Sequence, residues 1–243
     1  MEKTNTIIDA MFKAGTHFGF SRSRRHPTVT PFIFGVKNKV EIFDLEKTSA
    51  LLLEAKKFIA TVAAEGKQIV LVGGKHEARA AIRAAAQSIN MPFVDGRWVG
   101  GTFTNFKEIR KRIDKMEKLE DEREKGELAK YTKKERLLID REIARLNHLF
   151  SGIASIKEMP KAVFVVDPRA EINAVMEARD MNIPVIALAG SDCDISGITY
   201  PIVGNDASQE SIRFFVNEIV KAYEEGKANK SKVESAESKV DKK

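Results

Sequence analysis

The 243-residue sequence has a single cysteine, Cys193, a single tryptophan, Trp98, and seven prolines. One thiol excludes an intramolecular disulfide framework and fits a reducing compartment. No stretch free of Asp, Glu, Lys and Arg is longer than 11 residues, against the ~20 apolar residues that a helical membrane span needs. Residues 1–9 also lack the basic region and apolar core of a secretory signal. Hydrophobic residues nonetheless make up 43% and charged residues 31%, a globular rather than a disordered composition. The length suits one or two domains with a sizeable core. These features predict a cytoplasmic, water-soluble protein without a membrane partner.

A more local absence is more informative. The formal charge is +6, but it is unevenly spread. Residues 1–50, 51–105, 106–150 and 226–243 each carry +3, and residues 151–225 carry −6. No Asp or Glu occurs in residues 10–40, which hold Lys13, Arg22, Arg24, Arg25, Lys37 and Lys39. Cations without acidic neighbours suit phosphate. A solvated basic loop is the plain alternative, and charge alone leaves both open.

Periodicity supplies the elements. Ile7, Met11, Ala14 and Phe18 recur at helical spacing, with Thr4 or Asn5 as a cap. A loop over 21–31 precedes two short strands, 32–34 and 40–42, joined as a hairpin. A helix over 46–65 follows. Apolar strands at 68–72, 92–94, 162–166, 184–189 and 200–203 then alternate with helices at 76–89, 170–181 and 208–223. Continuous apolar strands alternating with helices predict an α/β fold, a mostly parallel sheet with helices on both faces.

Residues 104–156 interrupt that pattern and contain no proline. Ile109, Ile113, Met116 and Leu119 form one seam, and Ile139, Ile143, Leu146, Phe150 and Ile153 form another. Gly126 permits a break, and Thr132 with Glu135 forms a capping box that restarts a helix. The expected insert is an antiparallel coiled-coil helical hairpin projecting from the sheet; a two-helix layer lying on the core is the alternative. The α/β domain is thus expected in two parts, 1–103 and 157–225, with the hairpin at 104–156. The tail, 226–243, is rich in Lys, Ser, Glu and Ala and is expected to be disordered.

Motifs for catalysis are scarce. Gly73-Gly74-Lys75 lies where a phosphate loop would lie but lacks its full spacing, and neither G-x-G-x-x-G nor G-x-S-x-G occurs. Cys193 has no adjacent partner that would activate it. Asp192, Asp194 and Asp206 follow two strands at the expected carboxyl edge of the sheet, where α/β enzymes bind ligands. With His17 they are candidate ligands for a Mg or Zn ion, the set being His17, Asp194 and Asp206. The other reading makes them turn formers, with Asp206 capping the last helix. No cofactor is required by any motif. An α/β enzyme acting on a phosphorylated small molecule remains a competing class.

Several segments share one resemblance. They are Ala14-Gly-Thr-His17-Phe-Gly19, Pro31-Phe-Ile-Phe-Gly35, Ile42-Phe-Asp44-Leu-Glu46-Lys47-Thr48, Arg97-Trp98-Val-Gly100-Gly101-Thr-Phe-Thr104-Asn105-Phe106, Pro160-Lys-Ala-Val-Phe-Val-Val-Asp167-Pro168 and Ile202-Val-Gly204-Asn205-Asp206. Collinear from about residue 6 to residue 223, they resemble the bacterial small-subunit ribosomal protein S2 family. The resemblance implies a flavodoxin-like α/β domain interrupted by a coiled-coil hairpin. It implies a non-enzymatic part of the small ribosomal subunit that binds small-subunit ribosomal RNA. Neighbouring ribosomal proteins are implied partners, including the large multi-repeat mRNA-binding one where present, with no homo-oligomer expected. Two places depart from the family pattern. Gly190-Ser191-Asp192-Cys193-Asp194-Ile195 stands where Asp-Thr-Asn-x-Asp-Pro is usual, and Ser23-Arg24-Arg25-His26-Pro27 lacks the usual Trp.

Beside that resemblance, Arg22, Arg24, Arg25, Lys37 and Lys39 read as phosphate contacts. Shape and backbone recognition of folded RNA is expected, because A-form major grooves exclude side chains. Arg97 and Trp98 mark the junction with the hairpin, where Trp98 either stacks on a base or packs internally. Thr104, Asn105 and Lys107 open the first hairpin helix, whose amides suit a phosphate. Arg110 and Lys111, followed by Arg112 and Lys115, extend a basic stripe. Acids from Glu117 to Glu124 suit a protein at the tip, so a scaffold that binds protein only is a third possibility. The acidic piece, 151–225, is expected to face solvent or a basic protein.

Overall fold

A computed structural model describes the backbone of residues 2–240 and the side chains of residues 6–229. The first helix, α1 (Glu2–Lys13), includes Thr4 and Asn5 in its body, so neither is its cap. Gly15, at φ +68°, ends it in the left-handed conformation that glycine tolerates. Phe18 therefore leaves the helix face and starts strand β1 (Phe18–Ser21). Strands β2 (Ile33–Lys37) and β3 (Val40–Phe43) form a tight hairpin, with positive φ at both Asn38 and Lys39. The three strands make a small antiparallel sheet in the order β1-β3-β2. Asp44 then caps α2 (Leu45–Ala64), its Oδ1 accepting from the amides of Glu46 and Lys47.

The main sheet comprises β4 (Ile69–Val72), β5 (Phe93–Val94), β6 (Ala162–Val166), β7 (Val185–Ala189) and β8 (Tyr200–Val203). All its pairings are parallel, and the order is β5-β4-β6-β7-β8. The first strand thus lies between the second and third, the flavodoxin-like order, which creates a crevice at the carboxyl edge between β4 and β6. Every residue of β4, β6 and β7 is buried. That is why they read as unbroken apolar runs rather than alternating ones.

Helices cover both faces. Leu71, Phe164 and Leu188 pack with α1, α2, α3 (His76–Ile89) and α7 (Gln209–Val240). Their strand neighbours Val70, Val163, Val165 and Ala187 point the other way, toward α6 (Ile172–Asp180). The same layer takes α4 (Phe106–Glu124) and α5 (Lys133–Phe150), which run from the sheet between β5 and β6. Ile109, Ile113, Met116, Leu146 and Phe150 are buried in this second core, so the roots of both helices belong to the domain. Between them Gly126, at φ +74°, makes the break, and Thr132 and Glu135 form the reciprocal capping box.

The tail expected to be disordered, 226–243, lies partly outside the described residues, at 241–243; over 226–240 the backbone continues α7. Ala, Glu and Lys are strong helix formers, so low apolar content does not prevent continuation of a helix already anchored by packing. Gly226 has a packing reason: a Cβ there would lie 2.3 Å from the Ala60 carbonyl oxygen, where α7 meets α2.

Candidate nucleic-acid interface

After β1, the acid-free stretch folds into two short 3-10 segments, Arg22–Arg24 and Pro27–Phe32. Arg22 and Arg24 are exposed, and the Arg24 guanidinium lies 5.1 Å from the centroid of the Phe20 ring. Lys37 and Lys39 are exposed on the adjoining hairpin. None of these four cations has an acidic partner among the described residues. Arg25 does, which corrects the expectation for this cluster. Its Nη1 lies 3.2 Å from Oε1 of Glu41, a fully buried carboxylate on β3. Neither Glu41 oxygen accepts a hydrogen bond, so the Arg25 charge is what compensates its burial. The acid sits one residue past the acid-free stretch and is brought back by strand pairing.

The segment that leads into α4 is organised by Glu177 of α6. Its Oε1 accepts from the Trp98 indole at 3.1 Å and the Gly101 amide at 2.8 Å. Its Oε2 accepts from the Phe103 amide at 2.9 Å and, at 3.4 Å each, from the Thr104 amide and hydroxyl. Trp98 is 4% exposed and meets Phe103 edge-on at 4.9 Å, so it packs internally. The Thr104 amide, expected to be open to phosphate, is occupied by this carboxylate. Arg97, Asn105 and Lys107 remain exposed. Arg110 is committed within the chain: it donates to Asp114 at 2.8 Å, to Glu117 at 3.1 Å and to the Ala154 carbonyl at 2.9 Å. It thus ties the start of α4 to the segment after α5. Lys111 pairs with Glu108 at 2.6 Å on the exposed face.

The proposed metal set is not one site. His17 stacks on Phe12 at 4.5 Å and lies 4.0 Å from Phe18, with Nδ1 buried and unpartnered. Burial lowers its pKa. Asp194 is exposed and accepts from the Ser196 amide and hydroxyl, which lower its pKa. Asp206 instead joins Asp167 and Cys193 at the crevice, within 4.8 Å of one another. These ends of β6 and β8 meet Lys75, whose Nζ lies 3.1 Å from Asp167 and 3.3 Å from Asp206. Burial, then the Asp167 charge, pushes the Asp206 carboxyl up to about 6. Burial and the surrounding carboxylates also push the Cys193 thiol up, keeping it protonated. A metal would need the thiolate and unpaired carboxylates. Here an ammonium already bridges the acids, so a metal at Asp167, Cys193 and Asp206 would have to displace Lys75 and the thiol proton.

The remaining enzyme features resolve in the same way. The Gly74 amide donates to Glu171, and a Cβ on Gly74 would lie 2.2 Å from the Gly96 carbonyl oxygen. The Gly73-Gly74 turn therefore serves close packing, with no phosphate cradle. Asp192 pairs with Arg169 at 2.6 Å. Asn205, rather than Asp206, caps the turn into α7, accepting from the Ala207 and Ser208 amides.

A family profile described as Ribosomal protein S2 matches residues 11–226. The chain belongs to the ribosomal protein S2 family. The small ribosomal subunit protein uS2 of Sulfurimonas denitrificans is 41% identical over 221 residues, covering 91% of this chain and 85% of that protein. That of Solidesulfovibrio magneticus is 38% identical over 232 residues, 96% and 90%. That of Mesoplasma florum is 39% identical over 218 residues, 90% and 82%. Ribosomal protein S2 is a non-enzymatic family that needs no cofactor in general, which removes the phosphorylated-substrate enzyme as a reading. Among the described residues, no helix is long and apolar enough to cross a membrane.

Proposed function

We propose that this chain is a structural component of the small ribosomal subunit that holds subunit RNA by phosphate and shape contacts. The observation that carries this reading is the set Arg22, Arg24, Lys37 and Lys39. These are four exposed cations on one small sheet and its loop, without acidic partners among the described residues. Its relatives' name, small ribosomal subunit protein uS2, supports the same assignment. Arg97, Asn105, Lys107 and Lys111 add exposed contacts at the hairpin root. Arg25 and Arg110 act on the protein side, holding the loop and the hairpin in shape. Residues 104–156 serve as a coiled-coil arm, and single copies of the chain help dock neighbouring small-subunit proteins, including the large mRNA-binding one where it is present.

The test is co-sedimentation with small subunits across a salt series. Replacing Arg22, Arg24, Lys37 and Lys39 together with Gln lowers affinity and flattens its salt dependence, by about 0.7–0.9 in log–log slope per lost contact. An unchanged slope with the fold intact removes the basic loop from the RNA interface. A chain absent from the small-subunit peak at low salt would refute the reading as a whole.

A further inference from the structure

Helix α3 carries a second cationic surface. Arg79, Arg83 and Gln87 recur every fourth residue and so form one row, with steps of about 6 Å along the axis. With Ala80 and Ala84 they line an open groove of about 470 Å³, completed by Asp95 and by His148 of α5. Arg79, Arg83, Gln87 and His148 are all exposed. Both guanidinium groups are held in place from behind. Arg79 Nε donates to the Gly74 carbonyl at 3.0 Å, and Arg83 meets Asp95 at 2.6 Å. Each keeps N–H donors beyond these contacts, so the row is oriented and still able to bind.

This row is continuous with the crevice at the sheet edge. Lys75 occupies the N-cap position of α3 and lines a second cavity, of about 370 Å³, with Phe20, Arg24, Asp167, Arg169 and Asp192. The carbonyl that Arg79 holds belongs to Gly74, the residue before Lys75. Within the crevice Lys75 is bridged to Asp167 and Asp206 and Arg169 is paired with Asp192, so the crevice is close to charge-neutral and joins two cationic patches, Arg24 with the loop after β1 and the row on α3.

We propose that this is a phosphate track: an RNA strand held at the basic loop continues over the crevice and along Arg79 and Arg83. The inference rests on the RNA reading above and extends it to a surface on the other side of the crevice. The chemistry favours a nucleic-acid backbone over a peptide. Ala80 and Ala84 keep the floor low and offer no pocket for an apolar anchor, whereas guanidinium forks at regular spacing match successive phosphates.

Directed hydroxyl-radical cleavage tests the track in assembled small subunits. The native thiol, Cys193, is buried, so a chelated-iron label on Gln87→Cys is site-specific, and Lys37→Cys provides a separate label at the basic loop. Cleavage of subunit RNA from position 87 is expected. Cleavage from position 37 but not from 87 overturns the track while leaving the RNA reading in place; silence from both overturns both. Cross-linking of position 87 to protein alone would assign the groove to a protein partner instead. Independently, Ala84→Glu leaves both arginines and a good helix former in place but puts a charge on the floor. It should weaken rebinding to subunits depleted of this protein, and Arg79→Gln with Arg83→Gln should lower the salt slope by about 1.4–1.8. Unchanged binding in both variants, with unchanged thermal melts, counts against the track.

Discussion

Trp98 and Glu177 are joined, ahead of the start of α4, by a 3.1 Å hydrogen bond from the indole to a buried carboxylate, although 79 residues separate them in the chain. The same carboxylate receives the Gly101 and Phe103 amides, so its loss orphans several buried donors at once. Glu177→Ala should cost about 3 kcal/mol or more, and Glu177→Gln, which keeps one acceptor oxygen, about 1–2 kcal/mol. Urea unfolding measures both. Equal losses in the two variants would mean that bulk at this position matters rather than hydrogen bonding.

Arg25 and Glu41 make a contrasting pair. Removing the partner of a buried charge is far costlier than removing both charges. Arg25→Ala should destabilise by about 2–4 kcal/mol, and adding Glu41→Gln should recover much of that loss. A double-mutant cycle in urea reads the coupling directly. Additive effects would show that Glu41 is compensated by something other than Arg25. Salt-dependent RNA binding should respond to Arg24→Ala more than to Arg25→Gln, because Arg24 is exposed whereas Arg25 is half-buried against the fully buried Glu41 carboxylate.

How much of this was legible in the sequence depended on the distance over which each feature is determined. The strands β4, β6 and β7 are local runs of apolar, largely β-branched residues, and α3 and the Thr132 capping box are set by neighbours within a turn or two. These were all readable. Arg25 with Glu41, Glu177 with the amides after Trp98, and Lys75 with Asp206 are pairings made by topology, and nothing near any of these residues announces its partner. The acid-free stretch was a true property of the chain but an incomplete guide to its surface, since β3 returns an acid to it. The tail is a different case. Lack of apolar residues argues against an independent core, and the helical backbone over 226–240 continues from turns of α7 that pack on α2 and α3.

Cys193 should behave as an inert thiol. It is fully buried, and desolvation together with Asp206, Asp167 and Asp192 disfavours its thiolate. A disulfide reagent at neutral pH should therefore label it only as fast as the protein opens, and at once in denaturant. Rapid stoichiometric labelling of the folded protein would contradict the protonated, sequestered thiol at the crevice.

Asp206 gives the protein a specific pH dependence. Its carboxyl is raised from 3.8 to about 6, by burial first and by Asp167 next, against the opposing pull of Lys75. The folded state therefore holds this proton more tightly than the unfolded chain does. The corresponding stability is fully present below about pH 4 and is lost as pH rises toward about 6. Glu171, raised by burial, acts in the same sense. Asp194 and Glu218 are lowered and act in the opposite sense, losing their contribution as pH falls below the ordinary carboxylate range. Because those groups complicate the total, the informative quantity is the difference from Asp206→Asn, which cannot titrate. Between pH 4 and pH 7 that difference should move in the variant's favour by about 2–3 kcal/mol, whatever its starting value from the changed contact with Lys75. Urea melts at several pH values measure it. A difference that stays constant with pH, or that moves toward the wild type, would mean that Lys75 holds Asp206 ionised throughout and that the crevice carries one more negative charge than described.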